Sequence, residues 1–123
     1  MTVKTGREVR EPRGRTQSIR EELEGRLSSI PGLTRRAARR GHGNAYFAAE
    51  REIVHFHGDH RMDVRLTRKA ILARASERPF DERVRTRGPA ADWVAVRVAV
   101  ARDLHLALSL VELAVRANTK PAE

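Results

Sequence analysis

The sequence predicts an α+β domain in which an antiparallel sheet of about five strands packs with an N-terminal helix, a short middle helix and a long C-terminal helix. Three observations carry this prediction. Segments with period-two alternation, typical of half-buried strands, occupy residues 45–66 and 92–98. Ser18 and Glu21 have the spacing of a helix capping box. Leucine and valine recur at helical spacing over residues 101–117.

Size and composition fit one globular domain. A chain of 123 residues with 40% hydrophobic residues can bury one core. We expect a basic flexible tail at residues 1–17, the folded domain at 18–118 and a short C-terminal tail at 119–123. The net charge of +9 is compatible with an anionic partner. Its arginine bias is also typical of GC-rich genomes, so composition alone does not identify a nucleic-acid-binding protein.

Two absences narrow the function classes. The chain has no cysteine, which excludes disulfides, thiolate nucleophiles and cysteine-based metal sites. It also has no apolar run of the signal-peptide type at its start and none near the ~20 residues of a membrane span. We therefore expect a cytoplasmic protein with no membrane partner.

The first helix is predicted to begin at Ser18 and to end before Pro31 and Gly32. Its buried face is expected to hold residues spaced four apart: Ile19, Leu23 and Leu27. Residues 33–40 follow as an extended segment or first strand. They contain the densest positive cluster of the chain: Arg35, Arg36, Arg39 and Arg40. Arginines on both faces favour an edge strand or a loop, where they guard against aggregation or bind phosphates.

Residues Ile53 to Leu66 are predicted to form a β-hairpin that follows a short strand at residues 45–49. Gly58 and Asp59 are interpreted as a two-residue turn. That register would pair His57 with His60, His55 with Met62, and Ile53 with Val64. One face of the hairpin would then carry Ile53, His55, His57, His60, Met62, Val64 and Leu66.

The hairpin predicts a divalent metal site, because imidazoles on one face can converge on an ion. The expected ligands are His55, His57 and His60. The alternative is that they are hydrogen-bonded surface residues. In the same register Asp63 lies on the opposite face as a surface ion pair, and Asp59 is a turn residue. The letters from His55 to His60 also spell a metallo-β-lactamase signature, which the following strand pattern and the short chain exclude.

Thr67 is expected to cap a middle helix over residues 68–76. Residues 77–91 are interpreted as a long, charged connection that could cover the hairpin. Residues 92–98 form the last strand, with Trp93 as core or pocket wall.

The final helix, predicted over residues 101–117, has an apolar stripe of Leu104, Leu108, Val111 and Val115, with further leucines off this stripe. One sheet cannot cover so wide an apolar surface. The helix is therefore either sandwiched between the sheet and the first helix or forms a homodimer interface, which we favour.

The sequence resembles the small bacterial "luciferase domain" proteins in four features. These are the pattern from His55 through Gly58 to Asp59, the strand around Asp63, the strand that begins at Trp93 and the leucine-rich last helix. The resemblance places more weight on His55 and His57 than on His60, since position 60 is not usually histidine in that family. It does not imply light emission, because the chain is too short for a bacterial-luciferase barrel. The order of elements is also similar to the double-wing fold, which has been associated with DNA binding.

Three functions remain open at this stage. The first is binding of a small ligand through His55, His57, Asp59 and Trp93, or of a metal, with no reaction identified. The second is nucleic-acid binding through the basic tail and the arginines of residues 33–40. The third is a dimeric interaction protein that uses the final helix.

Overall fold

A computed structural model describes residues 18–38, 43–88 and 90–119. The basic tail, Arg39 and Arg40 lie outside these residues. The elements, in chain order, are α1 (Ile19–Leu27), β1 (Thr34–Ala37), β2 (Asn44–Ala48), β3 (Arg51–His57), β4 (Arg61–Arg65), α2 (Arg68–Glu77), β5 (Val84–Thr86), β6 (Trp93–Arg97) and α3 (Asp103–Thr119).

The strands form one antiparallel sheet in the order β1-β2-β3-β4-β6-β5. The predicted α+β class and the three helices are confirmed. The sheet has six strands in place of about five, because β5 lies within the segment interpreted as a connection. The arginine-rich β1 occupies one edge of the sheet, and β5 occupies the other.

Local capping signals fix the starts of two helices. The Ser18 hydroxyl accepts from the Glu21 amide, and the Glu21 carboxylate accepts from the Ser18 amide, which completes the predicted capping box. The Thr67 hydroxyl accepts from the Ala70 amide and caps α2. Thr67 has a φ of 83°, a backbone conformation that is unusual for a β-branched residue.

The core lies between α1, α3 and one face of the sheet. Leu23 and Leu27 of α1 are fully buried, as predicted. Of the predicted stripe of α3, Val111 is buried, whereas Leu104, Leu108 and Val115 are partly buried. The other buried apolar residues of the helix are Ala107, Leu110 and Ala114. The two alanines allow the helix to lie close to the sheet, and the leucines other than Leu110 flank the contact and are only partly buried.

α3 contacts β2, β3 and β4 on one side and α1 on another, as the sandwiched arrangement requires. A homodimer through α3 stays a prediction. In the described ranges, no helix is both long and apolar enough to span a membrane.

The register of the His-bearing hairpin differs from the prediction. β3 pairs with β4 as Val54 with Val64, Phe56 with Met62, His55 with Asp63 and His57 with Arg61. The loop therefore has three residues, Gly58, Asp59 and His60, and Gly58 adopts a positive φ of 70°. Because side chains alternate between faces, this one-residue shift moves Met62 and Val64 to the core face and Asp63 to the histidine face.

Candidate metal centre

The face of the sheet opposite the apolar core residues carries many of the polar side chains of the strands. We call it the open face. One row of cross-strand partners on this face is formed by Ala45, His55, Asp63, Ala95 and Arg85. A neighbouring row on the same face contains His57, Arg61 and Arg97.

Three potential ligand atoms converge near the centre of the open face. His55 Nε2 lies 3.1 Å from Asp63 Oδ2, and His57 Nε2 lies 2.9 Å from the same oxygen. The two histidine Nε2 atoms are 3.2 Å apart. Among the described residues, these three side chains form the one group that can hold a metal ion. Asp63 is 4% exposed, whereas the two imidazoles reach solvent.

Arg61 contacts both oxygens of Asp63. Its Nε donates to Oδ1 at 3.1 Å and its NH2 donates to Oδ2 at 3.4 Å, and Oδ2 also faces the histidines. Arg87 NH2 lies 3.8 Å from Oδ2. Burial opposes ionisation of this carboxyl, but hydrogen bonds from His55 and Arg61 outweigh it and hold its pKa below the usual 3.8. Asp63 is therefore an anion at neutral pH.

Two neighbours orient the His55 ring. The ring centroid of His55 lies 4.9 Å from that of Trp93, and the two rings are tilted by 43°. On the other side, His55 Nδ1 lies 3.7 Å from Glu52 Oε2. Glu52 reaches this face because the pairing of β3 with β2 skips Ile53, a bulge that reverses the alternation. A carboxylate near the second nitrogen is a common feature of metal-binding histidines.

The remaining predicted site residues lie elsewhere. Asp59 is exposed in the turn, with Arg20 NH1 4.0 Å away. His60 is exposed in the same turn, and its predicted pairing with His57 is not formed. Trp93 forms a wall of the centre. Arg35 and Arg36 are exposed on β1, where Arg36 pairs with Glu50 and covers the Phe47 ring at 4.5 Å.

Asp63 was assigned to the wrong face although the sequence contains the signal that places it. Met62, Val64 and Leu66 form an apolar set that requires the core. Val54 and Phe56 are the matching apolar residues of the other arm. Pairing apolar with apolar puts Asp63 beside His55, so the hydrophobic pattern outweighs the preference for a two-residue turn.

Comparison with known families assigns the chain to a family. A family model described as "Luciferase domain" matches residues 50–114, more than half of the chain. The chain belongs to the luciferase-domain family. The resemblance inferred from the histidine hairpin and the Trp93 strand is thereby confirmed. No curated protein and no solved structure shows significant similarity to the chain.

The matched region of this luciferase domain contains every residue of the centre: Glu52, His55, His57, Arg61, Asp63, Arg87 and Trp93. Chemically, two imidazoles and one carboxylate are the ligand set of many zinc sites and of the iron facial triad. Such a set leaves coordination positions open toward the exposed side, where water or a ligand can enter.

Proposed function

We propose that this luciferase-domain protein binds one divalent transition-metal ion through His55 Nε2, His57 Nε2 and Asp63 Oδ2, and that the ion is part of a small-ligand site. The observation that carries the proposal is the convergence of these three atoms within 3.2 Å of one another. The expected third ligand is thus Asp63 in place of His60.

Known metal–ligand lengths support this assignment. Nitrogen and oxygen ligands lie about 2.0–2.2 Å from zinc. Two ligands of the same ion, at tetrahedral or octahedral angles, are therefore about 2.8–3.6 Å apart. The three distances of the centre, 2.9, 3.1 and 3.2 Å, agree with this spacing. The two histidine nitrogens lie close to each other and to one anionic oxygen. A cation among these three atoms fits this arrangement better than two N–H groups that point at the same place.

The arginines beside the centre affect its affinity in two ways. Arg61 donates to both oxygens of Asp63 and so holds the carboxylate in place beside the histidines. Its positive charge, together with that of Arg87, also opposes a bare cation. We therefore expect moderate affinity for the free ion and tighter binding when an anionic ligand occupies the open positions.

The proposal is tested by titrating untagged, chelator-treated protein with Co²⁺ and Zn²⁺ in a calorimeter. We expect one ion per chain and, for Co²⁺, visible absorption bands that report the nitrogen and oxygen ligands. The His55→Ala/His57→Ala variant should lose at least about 100-fold in affinity, because two of three ligands are removed.

The matched control is His60→Ala/His105→Ala, which removes two exposed histidines outside the centre. Unchanged uptake in this control supports the assignment. Loss of uptake in the control, or retention in the His55→Ala/His57→Ala variant, would overturn it.

Nucleic-acid binding is the second candidate, and the exposure of both Arg35 and Arg36 on an edge strand favours it. Charge reversal at these two residues should then abolish binding of a duplex, and the affinity should fall steeply with salt. Arg36 is already engaged by Glu50 and Phe47, so we regard the metal centre as the better supported site.

A further inference from the structure

A groove lies beside the metal centre on the open face, near the β5 edge of the sheet. Its volume is about 590 Å³, which is within the range of small-molecule sites. Ala95 forms part of its floor, because this small residue lies between Asp63 and Arg85 in their cross-strand row. Five arginines line the groove: Arg61, Arg83, Arg85, Arg87 and Arg97.

One of these arginines has a structural role. Arg83 donates to both oxygens of Asp81 at 2.8 Å and to Asp103 Oδ1 at 3.0 Å. Its guanidinium is thus already occupied by carboxylates. Glu82 is the one acidic residue among the described residues that line the groove.

The other four arginines outnumber the carboxylates near them, which are Asp63, Asp81 and Glu82. Arg61 and Arg87 share the single carboxylate of Asp63. In the described ranges, no carboxylate oxygen lies within salt-bridge distance of Arg85, which is exposed. Arg97 is the direct cross-strand partner of Arg61, and like charges at such positions destabilise a sheet. The groove thus retains an unfavourable positive charge that an anion would relieve.

We infer that the groove binds the phosphate groups of a small phosphorylated molecule through Arg85, Arg87 and Arg97, and so presents that molecule to the metal centre. The inference deepens the proposed function and rests on it, since the metal's open positions would face the bound ligand. Guanidinium groups bind phosphate oxygens in pairs.

The amount of charge favours phosphate over carboxylate. Three arginines outnumber the one negative charge of a carboxylate, whereas a phosphate monoester or a diphosphate carries two or more negative charges.

The distance between the metal centre and the groove also agrees with a small phosphorylated molecule. Asp63 and Arg85 are separated by two interstrand spacings, roughly 10 Å between their backbones. A small phosphorylated molecule can span this distance.

The test uses inorganic pyrophosphate as the probe and calorimetry on the full chain, with and without Zn²⁺. We expect a dissociation constant below about 1 mM for the metal-free protein and tighter binding with the metal. The Arg85→Gln/Arg97→Gln variant should bind pyrophosphate at least tenfold more weakly. Arg78→Gln/Arg116→Gln is the control, because it removes the same charge from exposed positions, one directly after α2 and one on α3.

The outcomes separate the groove from the metal centre. Pyrophosphate binding that depends on Arg85 and Arg97, and that persists in metal-free His55→Ala/His57→Ala protein, supports the groove even if the metal titration fails. Equal weakening in the control variant, or no binding below about 1 mM, would overturn it. A single-stranded oligonucleotide that binds more tightly than pyrophosphate through the same arginines would also overturn it, in favour of a nucleic-acid surface.

Discussion

Asp63 and Asp103 are the two buried acidic residues among the described residues, and they are buried in different ways. Asp103 Oδ2 accepts from the backbone amides of Ala99 and Val100 at 2.8 and 3.0 Å, and Oδ1 accepts from Arg83 at 3.0 Å. Its two amide partners belong to the backbone just before α3. Asp63 instead lies among side chains that reach solvent.

This difference separates a structural carboxylate from the proposed metal ligand. Asp103 is fully buried, and its backbone donors cannot leave without local unfolding, so no position remains for an ion or ligand. The imidazoles at Asp63 can exchange a proton for a metal ion without any change in the backbone. Burial and an arginine partner are common to both residues, and thus do not by themselves identify a site. The identity and exposure of the remaining partners distinguish a structural carboxylate from a candidate ligand.

The largest effect on stability is expected for Asp103→Ala. The change removes a fully buried carboxylate and leaves two backbone amides and one arginine position without an acceptor, which should lower the free energy of unfolding by about 3 kcal/mol. Chemical denaturation of the variant and of the wild type measures this loss of stability. Metal uptake should be unchanged under conditions where the variant is folded, and a loss below about 1 kcal/mol would contradict a structural role.

A smaller effect on stability, but loss of metal binding, is expected for Asp63→Ala. Its partners are partly exposed and return to water, so we expect a loss of about 1 kcal/mol. Removal of one ligand should reduce the affinity for Zn²⁺ at least tenfold. Asp59→Ala, an exposed aspartate of the same hairpin, is the control and should retain binding. If Asp63→Ala bound Zn²⁺ as the wild type does, Asp63 could not be a ligand.

The sequence predicts the local features of the fold better than the contacts between distant parts of the chain. Both helix caps, at Ser18 and Thr67, are local signals within four residues, and both are confirmed. The three-residue β5 was missed, because only Val84 in it is buried and the alternation is too short to detect. His55 and His57 were placed together correctly, since neighbours two apart in a strand share a face whatever the register.

The partners of those histidines depend on contacts between distant parts of the chain. Asp63 lies beside the histidines because the hairpin turn has three residues. Glu52 lies beside His55 because of the bulge in the pairing of β3 with β2. Arg87, which directly follows the edge strand β5, reaches Asp63, and the sequence has no local signal for this contact. The residues most readily predicted are therefore the histidines, while the carboxylate and arginine that determine their chemistry require the three-dimensional structure.

The smallest expected effect concerns the pH dependence of stability at Asp103. Burial opposes its ionisation, but hydrogen bonds from Val100, Arg83 and Ala99 hold its pKa below the usual 3.8 in the folded protein. The unfolded chain then binds more protons than the folded one as pH falls through 3.8 toward the folded-state pKa, so stability falls over this interval. An Asp103→Asn variant lacks this contribution. Its free energy of unfolding, measured by urea denaturation from pH 5 to pH 2.5, should fall less steeply with falling pH than that of the wild type. The difference between the two slopes should correspond to the uptake of at most about one proton on unfolding. Parallel curves would mean that the Asp103 carboxyl gains no net stabilisation of its charge on folding, and the distinction between the two aspartates would then rest on geometry alone.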